Sequence, residues 1–158
     1  MEPDSEPSDA PLSIEQFHRK MAVDLFNGVF TLLEKEDRNC AETDRMIHAA
    51  HASRFHWEFG GSPVNLAIGE WQCSRVHSVV KQPDAAIYHA LRYLELAEDY
   101  GLGAFHVAYA HEALARAYLL TDKEKAAHHL QRARTTLAEI SDEEERALVE
   151  TDLATIVV

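Results

Sequence analysis

The stretch LARAYLLTDKEKAAHHLQRAR, residues 114–134, decides the fold, because it joins two helical segments through a short polar turn. Small, aromatic or apolar residues recur in it at helical spacing: Ala115, Tyr118, Ala126, Leu130 and Ala133. A small side chain in each helix lets two backbones approach closely, and larger side chains three and four positions on fill the space around that contact. The stretch therefore predicts a tightly packed antiparallel helical hairpin.

A looser copy of the same pattern lies within residues 67–100. A shift of 41 residues aligns the first segments, pairing Ser74 with Ala115, Arg75 with Arg116, and His77 with Tyr118. A shift of 40 aligns the second segments, pairing Ala86 with Ala126, Ala90 with Leu130, and Tyr93 with Ala133. One hairpin cannot bury both of its apolar faces, so the repetition predicts that hairpins stack on one another.

Helix starts are marked by capping boxes, in which a small polar residue and a longer one three positions on satisfy two orphan backbone groups. The pairs are Ser13 with Gln16, Asn39 with Glu42, Thr121 with Glu124, and Ser141 with Glu144. Prolines at 63 and 83 suit the first turns of two more helices, and Gly101 indicates a stop after Tyr100.

Seven helices are predicted, near residues 13–37, 41–59, 63–81, 83–100, 103–120, 123–140 and 142–155. The connections between them are short, which forces neighbouring helices to run antiparallel. The expected fold is therefore all-α, with stacked antiparallel helical hairpins. It forms one domain over residues 13–158, preceded by a disordered acidic tail at 1–12 that is too polar to bury.

Composition limits the classes of partner. Lys and Arg total 15 against 27 Asp and Glu, a net charge of −12, and this field repels a phosphate backbone, so no nucleic-acid partner is expected. No apolar run is long enough to span a bilayer and no signal peptide is seen, which predicts a cytoplasmic protein without a membrane partner. Cys40 and Cys73 do not fit a disulfide framework and are predicted to be buried free thiols.

Residues 114–134 resemble a tetratricopeptide repeat, and residues 67–100 resemble it more loosely. The repeat length near 40 is similar to that of the longer variants in bacterial regulators and kinesin light chains. The resemblance implies a binding scaffold that holds its ligand on a concave face lined by the first helix of each repeat. The lysine and asparagine clamp of the chaperone-binding members is not found.

Carried over residue by residue, the resemblance predicts a peptide- or protein-binding groove. Its residues are Ile68, Trp71, Arg75 and Ser78 on one helix and Tyr109, Glu112, Arg116 and Leu119 on the other. Each set follows the spacing i, i+3, i+7, i+10, which is one helical stripe. The alternative is that the two aromatic residues pack against the N-terminal hairpin and the two arginines form structural ion pairs.

The ten histidines raise the question of a metal site. On the second helix, Asp44, His48, His51 and Glu58 share a face, and His48 and His51 are the candidate ligands. Further ligands would have to come from elsewhere, for example from His106 or His111. The alternative is a polar stripe that faces solvent, and His128 and His129 are likewise predicted to be exposed. No motif of nucleophilic catalysis is present.

The first functional hypothesis is a protein- or peptide-binding scaffold or adaptor, with no catalysis of its own and no cofactor. A second is a metal-dependent helical-bundle enzyme that uses His48 and His51. A third is a structural homo-oligomer, because the first helix is apolar over a wide surface and the array ends on the apolar residues 156–158 without a polar cap.

Overall fold

The computed structural model describes residues 11–158 and has seven helices in that range. They are α1 (Ile14–Leu33), α2 (Cys40–Gly60), α3 (Pro63–Val79), α4 (Pro83–Asp99), α5 (Ala104–Tyr118), α6 (Lys123–Leu137) and α7 (Glu143–Leu153). No strand occurs among the described residues, so the predicted all-α fold is confirmed. Residues 1–10, and with them most of the predicted tail, lie outside the described part.

The helices form a two-layer stack of hairpins. Helix α1 pairs with α2, α3 with α4, and α5 with α6, while α7 packs last against α5 and α6. Helices α1, α3, α5 and α7 also contact one another in that order and make up the front layer. The back layer consists of α2, α4 and α6. The predicted stack of antiparallel hairpins is therefore confirmed.

The small residues whose spacing predicts the hairpins are buried inside the stack. Ala115 and Ala126 are both fully buried, as the stretch at 114–134 predicts. In the preceding hairpin, the hydroxyl group of Ser74 donates a 2.8 Å hydrogen bond to the carbonyl oxygen of Ala86. A bond from one helix to the backbone of the other requires the two helices to lie very close together, and only small side chains allow that approach.

The first hairpin, which the sequence assigns from helix count alone, has a comparable contact. The hydroxyl group of Ser53 in α2 donates a 2.8 Å hydrogen bond to the carbonyl oxygen of Ala22 in α1, and both residues are fully buried. A Cβ atom added to Gly60 would lie 3.0 Å from the carbonyl oxygen of Glu15. Small residues at the contact thus allow α1 and α2 to approach closely as well.

Two helix starts differ from the prediction. The capping boxes at Ser13 and Asn39 are present. Helix α6, however, is capped by Asp122 instead of Thr121, and α7 by Asp142 instead of Ser141. In each case the adjacent aspartate accepts from the backbone amide three residues on, at 3.0 Å and 2.9 Å. Aspartate is at least as good an N-cap as serine or threonine, so the cap moves one residue along the chain.

Helices α1, α3 and α4 end in different ways. Helix α1 ends at Leu33, before the predicted position 37, because Arg38 Nη1 donates to the carbonyl oxygens of Leu32 and Leu33 at 2.8 and 3.2 Å. Helix α4 ends as predicted, with Gly101 in the left-handed region at φ +57°. Lys81 takes the same conformation after α3, at φ +61°, where most chains would use glycine.

The cysteine prediction is correct for one of the two residues. Cys73 is fully buried, and that burial raises the pKa of its thiol to about 12. Cys40 is exposed, because it occupies the first position of α2, directly after the N-cap residue Asn39. Both cysteines are free thiols.

Candidate functional site

The front layer contains a cavity of about 340 Å³, to which all four of its helices contribute. Its lining is almost entirely aromatic or aliphatic: Phe30, Ile68, Trp71, Tyr93, Phe105, Tyr109, Leu148 and Asp152. Trp71 lies between two aromatic rings, with ring centroids 6.3 Å from Phe30 and 6.1 Å from Tyr109. Three of the predicted groove residues therefore line this cavity, which we call the aromatic cavity.

Glu112 lies in the middle of the predicted groove and is only 1% exposed. Its Oε1 atom accepts from Arg116 Nε at 2.8 Å and from Arg75 Nη1 at 3.4 Å. Its Oε2 atom has no hydrogen-bond partner, and neither has the buried hydroxyl group of Ser78 nearby. One carboxylate thus serves two guanidinium groups, and the ion pairs expected under the alternative interpretation are present.

Beyond Glu112 the groove becomes basic. Arg75, Lys81 and Arg116 surround a recess of about 240 Å³ together with Ser78 and Leu119. Among the described residues, Glu112 is the only carboxylate that forms an ion pair with any of these three cations, and Asp152 also acts on Arg75, so this end carries more positive than negative charge on a chain whose net charge is −12. We call this recess the basic end of the groove.

A second set of polar contacts fixes α7 against α5. The Tyr109 hydroxyl group donates to Asp152 Oδ2 at 2.8 Å, and burial together with this bond raises the pKa of Tyr109. Arg116 Nη2 donates to the Thr155 hydroxyl group at 2.8 Å and to the carbonyl oxygen of Asp152 at 3.2 Å. These bonds hold one wall of the aromatic cavity in place.

All eight predicted groove residues line the aromatic cavity, the basic end or the closely packed region around Glu112 between them. Five cavity residues are missing from the prediction: Phe30, Tyr93, Phe105, Leu148 and Asp152. Phe105 precedes Tyr109 by one helical turn, so extending the stripe backwards would have found it. The others belong to different helices, and their position depends on how the hairpins stack.

The predicted metal ligands have different surroundings in the structure. His48 is exposed, whereas His51 lies between α3 and α4 beside His77 and His89. The suggested further ligands bond elsewhere: His106 Nδ1 lies 2.9 Å from the Tyr93 hydroxyl group, and His111 Nδ1 lies 3.0 Å from His129 Nδ1. His48 is not part of the cluster that His51 forms with residues of the next hairpin, and a joint role of His48 and His51 stays a prediction.

His51, His77 and His89 form a cluster that we call the histidine triad. One ring nitrogen of each lies within 4.8 Å of those of the other two. His77 and His89 are stacked, with centroids 5.7 Å apart and planes 4° apart. Burial lowers the pKa of His51 and of His77, so both are neutral at pH 7. The triad joins α2, α3 and α4 on the far side of α3 from the groove residues.

The third hairpin, α5 with α6, carries a counterpart of the triad with different residues. His129 aligns with His89 at a shift of 40 and stacks on Tyr118, which aligns with His77; the ring centroids are 5.5 Å apart and the planes 3° apart. His129 is half-buried, not exposed as predicted, because it contacts the buried His111. His128 is exposed, as predicted.

Comparisons with known protein families, with curated proteins and with solved structures each found no match. The class of protein is thus defined by its own architecture, a stack of helical hairpins with a groove along its front layer. The resemblance to tetratricopeptide repeats stays a prediction. Among the described residues, no helix is long and apolar enough to cross a membrane.

Proposed function

We propose that this chain is a binding scaffold that holds a segment of a partner protein along the front layer. The observation that carries the proposal is the aromatic cavity, which residues of five helices line, together with the basic end farther along α3 and α5. Cavities from roughly 300 Å³ upwards are the size of small-ligand sites, and buried aromatic pockets commonly receive the anchoring side chain of a partner.

The groove favours a partner segment with two features. The aromatic cavity, at about 340 Å³, offers apolar contact for one aliphatic or aromatic side chain. The basic end attracts an acidic group, because its three cations outnumber the one carboxylate that pairs with any of them, Glu112. Ile68 and Ser78 are ten residues apart on α3, so the groove is about 15 Å long. An extended peptide covers that length with about five residues.

The test is selection from a random heptapeptide library on the folded protein, followed by affinity measurement on a selected peptide. We expect an apolar residue and an Asp or Glu about four positions apart. Leu148→Glu places a charge at the exposed apolar rim of the cavity and is expected to weaken binding about 10-fold, less than the loss of a buried central contact would. Lys81→Gln is expected to weaken binding and to reduce its dependence on salt.

Tyr88→Ala is the matched control, because Tyr88 is equally exposed but lies on α4, outside the groove. Its affinity should equal that of the unmodified chain. Selected peptides without the expected pattern, or a Leu148→Glu variant that binds normally, would contradict the proposal.

Self-association remains a prediction of its own. Several large apolar side chains of the first hairpin are exposed: Ile14, Phe17, Val23, Phe55 and Phe59. Their number favours contact with a second copy of the chain. Light scattering during size-exclusion chromatography checks this, and a monomer at micromolar concentration would exclude it.

A further inference from the structure

The histidine triad has the composition of a metal site, independently of the groove. His51 comes from α2, His77 from the last turn of α3, and His89 from α4, so each helix contributes one imidazole. The Nε2 atoms of His51 and His77 lie 2.8 Å apart in a hydrogen bond, in which His51 is the donor, and a bound ion would take the place of that proton between the two rings. Imidazole nitrogen is a preferred ligand of zinc and its neighbours in the first transition series.

Two of the three rings are oriented by acceptors behind them. His89 Nδ1 donates to Glu70 Oε2 at 2.6 Å, and His77 Nδ1 donates to Gln82 Oε1 at 2.7 Å. A donating Nδ1 carries the proton of the neutral ring, so the lone pair lies on Nε2. Histidine ligands of metals are commonly held by a carboxylate or a carbonyl oxygen in this way.

Glu70 is itself held in place. Arg54 Nε donates to Glu70 Oε1 at 2.8 Å, so each carboxylate oxygen has one partner. Arg54 fits because the adjacent helix has Gly69, where an added Cβ would come within 2.8 Å of the Arg54 side chain. The carboxylate is therefore fixed behind His89 by partners on both oxygens.

We propose that the histidine triad binds a divalent transition-metal ion of the zinc class, with Glu70 and Gln82 as positioning residues. Zinc bonds to imidazole nitrogen at about 2.0–2.1 Å, which places the nitrogens of a tetrahedral site about 3.4 Å apart. The ring nitrogens of the triad are 2.8 Å to at most 4.8 Å apart, a range that includes the separation required by zinc. Small rotations of the rings would therefore bring the three nitrogens to that separation. Calcium and magnesium prefer oxygen ligands and do not suit it.

The third hairpin, α5 with α6, provides a control within the same chain. His129 and Tyr118 repeat the stacked pair, and His111 occupies the position that aligns with Glu70. Among the described residues, that cluster does not bring three ligand atoms within 4.8 Å of one another, so it is not expected to bind the ion. Replacing His77 by tyrosine gives the first cluster the same stacked residue as the second.

The test is titration of untagged, chelator-treated full-length protein with ZnCl2 and CoCl2, monitored by calorimetry and by the visible spectrum of cobalt. We expect one ion per chain and the intense bands of tetrahedral cobalt. His77→Tyr is expected to lower the affinity about 100-fold or more, and Glu70→Gln about 10–100-fold while the tetrahedral bands remain. His48→Gln and His129→Gln should bind like the unmodified chain.

Circular dichroism establishes that each variant is folded, and His51→Gln replaces His77→Tyr if the latter is not, because His51 is only half-buried. The proposal is overturned if the unmodified chain binds no stoichiometric ion. It is equally overturned if folded His77→Tyr or His51→Gln retains full affinity, or if binding is lost in His129→Gln instead.

Discussion

The hydroxyl group of Ser74 and the carbonyl oxygen of Ala86 are joined by a 2.8 Å hydrogen bond that ties α3 directly to the backbone of α4. Both residues are buried, and alanine occupies the position of Ser74 in the next hairpin. Ser74→Ala should therefore lower the free energy of unfolding only by the value of that bond, about 0.5–1.5 kcal/mol. Ser74→Leu should cost more, about 1–3 kcal/mol, because it forces the helices apart. Urea unfolding measures both, and an equal loss in the two variants would contradict the close approach.

Glu112 is the only carboxylate bonded to either Arg75 or Arg116 among the described residues. Glu112→Gln leaves two partly buried guanidinium groups without a counter-charge, and removing one member of a buried ion pair costs about 3–5 kcal/mol. Glu95→Gln, which removes the partner of the exposed Arg92, is the control and should change stability by less than about 1 kcal/mol. Chemical denaturation of both variants is the measurement. A Glu112→Gln variant as stable as the control would show that the arginines do not need the carboxylate.

Lys81 holds a left-handed backbone conformation at φ +61° without being glycine. A side chain in this region is strained by about 1 kcal/mol, and glycine removes the strain at a smaller cost in the entropy of the unfolded chain. Lys81→Gly should thus raise the free energy of unfolding by about 0.5–1 kcal/mol. Lys20→Gly, in the middle of α1, should lower it by about 1 kcal/mol. Thermal unfolding distinguishes the two signs, and a destabilised Lys81→Gly would be contrary to expectation.

His111 makes the stack sensitive to acid. Burial, followed by the charges of His129, Arg132 and His128, lowers its pKa from 6.5 to about 4. Between these values the unfolded chain binds a proton that the folded chain does not, so stability is complete above pH 6.5 and is lost as the pH falls towards 4. His111→Gln should flatten this dependence. Urea unfolding at several pH values compares the variant with the unmodified chain, and parallel curves would refute the assignment.

The hairpins were predictable because their cause is local: small residues at fixed spacing, capping residues and very short loops. The stripe on α3 and α5 was predictable for the same reason, since one helix fixes which residues share a face. Phe30 and Leu148 were not, because they reach the aromatic cavity from helices whose rotation depends on the whole stack.

The histidine triad shows the same limit, since its members come from three helices. The sequence singles out His51 as a candidate ligand, and for His89 and Glu70 the signal is their alignment with His129 at a shift of 40 and with His111 at a shift of 41. That signal indicates two equivalent positions in successive hairpins, but it says nothing of His51, which belongs to an earlier hairpin.

The two stacked pairs, His77 on His89 and Tyr118 on His129, have a consequence for how this chain could be redesigned. Either an imidazole or a phenol ring stacks on the histidine of the following helix at these equivalent positions. The ring side chains at these positions can therefore be exchanged without changing the helices that hold them. The set of residues of one hairpin could be copied into the equivalent positions of the next.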